Sequence, residues 1–174
     1  MKTHQITITA AVLLLFALIG TLLVALTYEG TREQIAANER EALLRKLNLL
    51  VPPERYDNAI FADTTQVIND HLLGTMEPVT VYRARRGSEP VALVIAPVAP
   101  DGYSGTIRLL VAVNVDGTLA GVRVVQHRET PGLGDAIEAE RSDWILGFAG
   151  RSLADPPAER WKVKRDGGDF DQFT

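Results

Sequence analysis

The 174-residue sequence contains no cysteine. This absence excludes disulfide bonds, thiolate nucleophiles, cysteine-ligated iron–sulfur clusters and haem attached through a Cys-x-x-Cys-His motif. Any redox function must therefore use another kind of cofactor. Histidine is scarce too, and His4, His71 and His127 lie far apart, without the short ligand spacing of zinc sites. We expect no metal centre built by the protein.

Clustered positive charge is also missing. The chain has 18 lysines and arginines against 22 aspartates and glutamates, for a formal net charge of −4, and the basic residues are scattered. Proteins that bind the phosphate backbone of nucleic acids typically present a concentrated basic face. The composition therefore argues against nucleic acid as a partner.

A long uncharged apolar run occupies Ile6–Tyr28. A helix needs about 20 apolar residues to cross a bilayer core, so the run predicts a transmembrane anchor within residues 1–28. A secretory signal peptide is the alternative, but its apolar region is usually about 7–15 residues long and is followed by an Ala-x-Ala-like cleavage site. Neither feature is present. Lys2 before the run and Arg32 and Arg40 after it do not decide the orientation by charge.

The residues after the anchor predict a connecting helix and one domain. In residues 29–53, apolar residues recur at helical spacing among charged ones, which is typical of an amphipathic helix, and Pro52-Pro53 should end it. The remaining residues, 54–174, are enough for one domain of ordinary size. A short helix is expected over residues 54–62.

Two β-hairpins follow in the predicted domain. The predicted strands are Val79–Arg85 and Pro90–Ala96 in the first hairpin, and Thr106–Val115 and Thr118–His127 in the second. The second pair is joined by Asp116-Gly117, whose residues tolerate the positive φ angles of a type I′ turn. The hairpins predict an antiparallel sheet.

A further helix is predicted near the C-terminus. Asp135 is expected to cap it, with Glu138 as the reciprocal partner, and Gly150 to end it. Its apolar face would pack on the sheet and consists of Ile137, Trp144, Ile145 and Phe148. Trp161–Lys164 is expected to form a short strand. The predicted fold class is α+β, an antiparallel sheet with packed helices.

Three glycine-rich segments could carry chemistry: Asp101–Gly105, Glu129–Asp135 and Asp166–Thr174, which read DGYSG, ETPGLGD and DGGDFDQFT. Glycine lets a backbone approach a ligand closely, and the amides opening the predicted helix at Asp135 would favour an anionic or electron-rich group. Each segment taken alone is better explained as a simple turn. The residues themselves therefore indicate a ligand site without identifying the ligand.

Taken together with the second hairpin and with Ser142-Asp143-Trp144, these segments resemble the G subunit of the bacterial Rnf electron transport complex, also called Rsx. The likeness keeps the same order along nearly the whole chain. The related C subunit of the sodium-translocating NADH:quinone reductase shares the domain but is less similar. The resemblance implies a single-pass protein of the bacterial inner membrane, with a cytoplasmic N-terminus and an FMN-binding domain in the periplasm.

The resemblance also implies where the flavin lies. It places FMN beside Thr130, Pro131, Gly132, Gly134 and Asp135, although Asp135 could equally be a simple helix cap. In this family a separate transferase joins the FMN phosphate to the last threonine of a Ser/Thr-Gly-Ala-Thr motif. Thr174 would be the first position of that motif, so the acceptor is expected beyond Thr174, in a chain truncated within its attachment motif.

The function implied by the resemblance is electron carriage. The protein would be a subunit of a membrane complex that couples electron transfer between NADH and ferredoxin to ion translocation, with other Rnf subunits and the lipid bilayer as partners, and with no catalytic residue of its own. The alternative is a membrane-anchored extracytoplasmic ligand-binding or sensor domain that uses the same loops without redox chemistry.

Overall fold

The computed structural model describes residues 2–171, with side chains from His4 onward. The chain divides into two compact units, Met1–Ala42 and Leu43–Thr174. Helix α1 runs without interruption over Lys2–Leu50, so the first unit consists of helix and the second begins with the last turns of the same helix. The predicted anchor and connecting helix are therefore one continuous element.

The first unit has the character of a membrane-spanning helix. It is the one helix within residues 2–171 that is long and apolar enough to cross a membrane. Its large apolar side chains are exposed all along Ile6–Leu26, and Phe16, for example, is 70 % exposed. So much apolar surface is unfavourable in water and favourable in a bilayer. The helix ends just before Pro52-Pro53, as predicted, because proline cannot continue the hydrogen-bond ladder.

The second unit is built on a six-stranded antiparallel sheet. Its strands are β1 Thr64–Val67, β2 Val79–Arg86, β3 Glu89–Ile95, β4 Val98–Ala99, β5 Ile107–Asn114 and β6 Leu119–Gln126. Strand β5 pairs with β3, β4 and β6. The predicted hairpins, β2–β3 and β5–β6, are confirmed, and so is the α+β class. Strands β1 and β4 and the one-turn helix α2, Asp70–Leu73, had no counterpart in the prediction.

One face of the sheet packs against the end of α1. Leu47, Leu50 and Val51 are buried there with Val94 and Leu110. The ammonium group of Lys46 donates a hydrogen bond to the carbonyl oxygen of Val124 at 2.6 Å, which ties the helix to β6. Because side chains alternate across a strand, the neighbours of Leu110 in β5 lie on the opposite face, where the candidate site is found.

The short helix predicted over residues 54–62 is wrong. Only a 3₁₀ turn forms, at Pro53–Arg55. The backbone that follows bonds to β2 instead: the Asp57 N–H donates to the Arg85 carbonyl at 2.9 Å, and the Asn58 side chain bonds to backbone groups of Arg83 and Arg85 at 2.9 Å each. Pairing with the sheet outcompetes a local helix that has little apolar periodicity.

The helix predicted from Asp135 is wrong as well. Two 3₁₀ segments form instead, Gly134–Ile137 and Trp144–Phe148. Ser142 interrupts the ladder between them, because its hydroxyl donates to the Ala136 carbonyl at 2.8 Å and accepts from the Trp144 N–H at 3.2 Å. Serine bonds of this kind compete with helical ones. The packing part of the prediction is confirmed, since Ile145 is 2 % exposed.

Two smaller expectations also fail. Trp161–Lys164 forms no strand, only an isolated bridge between Val163 and Phe170. The β5–β6 turn is not of type I′, because Gly117 has a φ of +84° while Asp116 has a negative φ. The turn closes through the Gly117 N–H and the Asn114 carbonyl at 3.0 Å, and Thr118 donates to the Asp116 carboxylate from both its N–H and its hydroxyl.

Candidate functional site

The first two glycine-rich segments meet in the structure. We call residues 101–105 the first loop and residues 129–135 the second loop. The first loop precedes β5 and the second follows β6, so the pairing of these strands brings the loops to the same end of the sheet. The Ser104 N–H donates a hydrogen bond to the Glu129 carboxylate at 3.1 Å, and Glu129 is only 9 % exposed. The two loops therefore form one surface.

The second loop is a self-bonded turn. The Thr130 carbonyl accepts from the N–H groups of Leu133 at 3.1 Å and Gly134 at 3.0 Å, and the Gly132 N–H donates to the Asp135 carboxylate at 2.8 Å. These amides are thus engaged within the loop. The α-helix expected to open at Asp135 is absent, because only a 3₁₀ segment forms there. The expected preference for an anionic or electron-rich group stays a prediction.

The five residues expected beside the flavin lie together in this turn. Thr130, Pro131 and Gly132 are exposed at its tip, and Gly132 has a φ of +80°, which favours glycine. The Thr130 hydroxyl has no hydrogen-bond partner within residues 2–171. Asp135 is 7 % exposed and stays below the tip, where its carboxylate also lies 3.4 Å from the Arg141 guanidinium. Thr174 lies outside the described residues.

An apolar cavity of about 480 Å³ lies on the free face of β5 and β6. It is large enough for a planar ring system, since ligand pockets typically span about 300–1,000 Å³. Ile137, at the end of the 3₁₀ segment that continues the second loop, is part of its wall, so the chain that leaves this loop reaches the cavity within two residues. The lining residues are Ala99, Ile107, Leu109, Val111, Leu119, Val122, Val124, Ile137, Trp144, Ile145, Phe148, Leu153 and Trp161.

The third glycine-rich segment reaches the rim of this cavity. Phe170 stacks on Phe148 with ring centres 4.8 Å apart and planes 19° apart, and it lies 5.0 Å from Trp161. The Trp144 indole N–H donates to the Asp171 carbonyl at 2.7 Å. The sequence pattern singled out the glycines here, whereas the aromatic side chains make the contacts. The recurrence of aromatic residues along residues 144–170 is the signal that could have revealed them.

A polar hollow of about 200 Å³ lies between the end of β6 and the start of β5, and no sequence pattern indicated it. Arg108, Arg128 and His127 are among its lining residues. The Nδ1 atom of His127 accepts the Glu129 N–H at 3.0 Å, so the ring proton is on Nε2, which lies 3.2 Å from the Glu138 carboxylate. His127 thus fixes the backbone that leads into the second loop.

The site has the chemistry of a binding site for a planar group with one apolar and one polar edge. The cavity offers aromatic and aliphatic surface, and the loop tips offer a free hydroxyl and exposed backbone. Within residues 2–171, no group of His, Asp and Glu side chains is arranged to hold a metal ion.

The chain matches two known protein families. Residues 1–50 match the family described as the RnfG N-terminal region, and residues 102–174 match the FMN-binding domain family. The second match contains nearly all of the three glycine-rich segments.

Curated relatives resemble the chain over most of its length. The G subunit of the ion-translocating oxidoreductase complex of Pseudoalteromonas atlantica is 50 % identical over 163 residues, 94 % of this chain and 76 % of that protein. The same subunit of Shewanella amazonensis is 50 % identical over 91 % of this chain and 74 % of its own length, and that of Vibrio cholerae is 47 % identical over 94 % and 78 %. The resemblance inferred from the sequence is confirmed: the chain belongs to the family of G subunits of ion-translocating oxidoreductase complexes.

Proposed function

We propose that the protein is an electron-carrying flavoprotein subunit of a membrane complex, with FMN as its cofactor. The observation that carries this proposal is the meeting of the first and second loops, within the stretch that matches the FMN-binding domain, next to an apolar cavity. FMN accepts one or two electrons and so can connect carriers of different types, while the protein supplies its placement and electrostatic environment.

The residues of the site fit FMN. The isoalloxazine has an apolar benzenoid end and a polar pyrimidine end, and the site offers matching surfaces: the aromatic cavity, and the exposed Thr130 hydroxyl with its unused hydrogen-bonding capacity. In this proposal Thr130, Pro131 and Gly132 contact the ring, and the absence of a side chain at Gly132 permits close approach. Gly134 and Asp135 hold the turn from below, through the bonds to Thr130 and Gly132.

Three aromatic side chains of the cavity would keep water from the apolar end of the ring. Trp144, Phe148 and Trp161 form a continuous aromatic wall, with Phe148 5.0 Å from Trp144 and 6.4 Å from Trp161 between ring centres. A dry, low-dielectric wall strengthens the influence of nearby charges and dipoles on a bound redox group. None of these side chains needs to act as an acid, base or nucleophile.

We further propose that the FMN is held by a phosphoester to a threonine that follows Thr174, installed by a separate transferase. This part rests on the family resemblance of Asp166–Thr174. A tether would keep the cofactor from being lost outside the cytoplasm. No base is needed beside the acceptor if the transferase activates it.

The proposed setting is the bacterial inner membrane, with the domain in the periplasm. The partners would be the other subunits of the complex, which the names of the relatives imply, and the bilayer around α1. Within that complex the protein would pass electrons along a route between NADH and ferredoxin that is coupled to ion translocation.

The cofactor proposal is tested by mass. We would express the chain extended after Thr174 by Gly-Ala-Thr together with the transferase, and use an extension by Gly-Ala-Val as the matched control. We expect the mass of an FMN phosphoester on the first form alone, and yellow colour that stays with the denatured protein. An adduct localised to Thr174 would contradict the proposed acceptor. Absence of flavin, bound or tethered, from every form would favour a non-redox binding or sensor domain instead.

A further inference from the structure

Glu129 is a buried carboxylate that the flavin proposal has not used. It is 9 % exposed, and no cation pairs with it within residues 2–171. Burial of a charged group without a cation is costly unless hydrogen bonds compensate it. Its compensation comes from the other loop, because the Ser104 N–H donates to Glu129 Oε1 at 3.1 Å.

Two glycines make room for this side chain. A β-carbon at Gly134 would lie 2.7 Å from Glu129 Cβ and 2.9 Å from its Oε2, and a β-carbon at Gly102 would lie 2.9 Å from Oε1. Separations this short do not occur between packed atoms, so a side chain at Gly134 would displace Glu129. A side chain at Gly102 would crowd Glu129 as well, although its closest contact would be the Gly105 carbonyl oxygen of its own loop, at 2.2 Å. One glycine comes from each loop, which means that the carboxylate lies where both loops converge.

The backbone of Glu129 is fixed as well. Its N–H donates to Nδ1 of His127 at 3.0 Å, and His127 in turn is 3.2 Å from the Glu138 carboxylate. The main chain from which the Glu129 side chain extends is therefore held in place. The first loop is held to Glu129 through Ser104.

We propose that Glu129 is a positioning residue for the flavin. Its carboxylate holds the first loop against the second, so that the Thr130–Gly132 tip has one geometry, and it adds negative charge to the loop pair that faces the ring. This inference rests on the proposed function, since it names a residue that acts on the same site through the loops. Gly102 and Gly134 contribute to this arrangement, because the absence of their side chains leaves space for the carboxylate.

The test uses the full-length subunit in its complex. Glu129→Gln keeps the shape and the acceptor oxygen but removes the charge, so we expect parental flavin content and a higher flavin reduction potential, because reduction adds negative charge that the carboxylate opposes. Glu129→Ala removes the acceptor, so we expect the amides of residues 101–105 to exchange hydrogen about fivefold faster, the loss of one net hydrogen bond. Glu140→Gln, which removes an exposed carboxylate outside both loops, should change neither quantity.

Gly134→Ala is an independent test of whether Glu129 holds the first loop. The added β-carbon should displace Glu129 and speed exchange at residues 101–105 as Glu129→Ala does. Combining it with Glu129→Gly should restore thermal stability by removing the overlap, without restoring the protection of the first loop. Gly147→Ala is the matched control, since nothing lies within 4 Å of a β-carbon there.

Two outcomes would overturn the inference. One is a parental reduction potential in Glu129→Gln together with parental exchange in Glu129→Ala, and the other is undiminished protection of residues 101–105 in Gly134→Ala. If the proposed function is wrong, the parent protein itself carries no flavin. The exchange experiment then still shows whether Glu129 joins the two loops.

Discussion

Asp135 has a role that differs from the cap expected of it. Its carboxylate accepts from the Gly132 N–H three residues before it, and it lies near the Arg141 guanidinium. It therefore closes the second loop rather than opening a helix. An aspartate that caps the following helix and one that closes the preceding loop look alike in a sequence. The two roles differ only in whether the residues after the aspartate form a helix.

Removal of the Asp135 carboxylate should loosen the second loop. Asp135→Ala removes the acceptor of the Gly132 N–H, a partly buried hydrogen bond whose donor lies at the exposed tip, so we expect a loss of about 0.5–1.5 kcal/mol in unfolding free energy. Asp135→Asn keeps an acceptor oxygen and loses only a pair to an exposed arginine, which is worth about 0–1 kcal/mol. Thermal unfolding of the purified chain in detergent measures both. Asp143→Ala is the control, since Asp143 makes no capping bond with its side chain; equal losses in the Ala and Asn variants would contradict the role of the hydrogen bond.

Asp116 offers a pH-dependent check of the hairpin turn. The Thr118 hydroxyl and then the Thr118 N–H donate to its carboxylate and hold its pKa below the ordinary value of 3.8. A carboxyl whose pKa is lowered by folding stabilises the fold above its ordinary pKa, and this contribution is lost as pH falls through the lowered value. Thr118→Val should raise the pKa of Asp116 towards 3.8, as followed by NMR titration of the carboxyl carbon. Thr106→Val should leave it unchanged, and an unshifted Asp116 in Thr118→Val would show that the hydroxyl does not bond to it.

The hairpin β5–β6 depends on one glycine at its turn. Gly117 has a φ of +84°, a conformation that costs residues with a β-carbon about 1–2 kcal/mol. Gly117→Ala should lower the unfolding free energy by about that amount. Gly147→Ala, where φ is ordinary and the space is open, should be neutral or slightly stabilising. If the two variants melt at the same temperature, the turn conformation is not the one described.

The segment Trp144–Phe148 packs on the sheet although it is not an α-helix. Ile145 is 2 % exposed and Leu146 is 39 % exposed. Truncation of these two neighbouring residues should therefore lower the stability by very different amounts. Ile145→Ala should cost about 2–5 kcal/mol, the usual range for a buried aliphatic side chain. Leu146→Ala should cost less than about 1 kcal/mol because much of its surface is already in water. Comparison of the two melting temperatures tests the packing, and a larger loss for Leu146→Ala would reverse the assigned face.

The elements that could be predicted from sequence are those whose patterns are long and local. The β2–β3 and β5–β6 hairpins have extended β-branched runs, and α1 has a charge-free core followed by two prolines. The failures concern short segments whose backbone bonds go to distant partners. Residues 54–62 bond to β2, and the Ser142 hydroxyl divides the segment after Asp135. The local sequence pattern predicts neither the bonds of residues 54–62 to β2 nor those of the Ser142 hydroxyl.

The candidate site was predictable only in part, for a similar reason. The second loop could be located because two glycines and a proline interrupt regular structure there. Its contact with the first loop could not, because it depends on the pairing of β5 with β6 and on one buried carboxylate, Glu129. Likewise the aromatic wall combines Trp144 and Phe148, which the sequence placed on one face, with Trp161, which no local pattern connects to them.

The orientation of the chain in the membrane is part of the proposed function, and the charges that flank the apolar run do not decide it. Ser88 lies exposed in the turn of the β2–β3 hairpin, and the absence of cysteine makes an introduced thiol unique. If the N-terminus is cytoplasmic and the domain periplasmic, Ser88→Cys should react with a membrane-impermeant thiol reagent in cells whose outer membrane alone is permeable. Gln5→Cys, at the other end of the apolar run, should react only after the inner membrane is broken. The reverse pattern would place the domain in the cytoplasm, and reaction of both before breakage would show that α1 does not span the membrane.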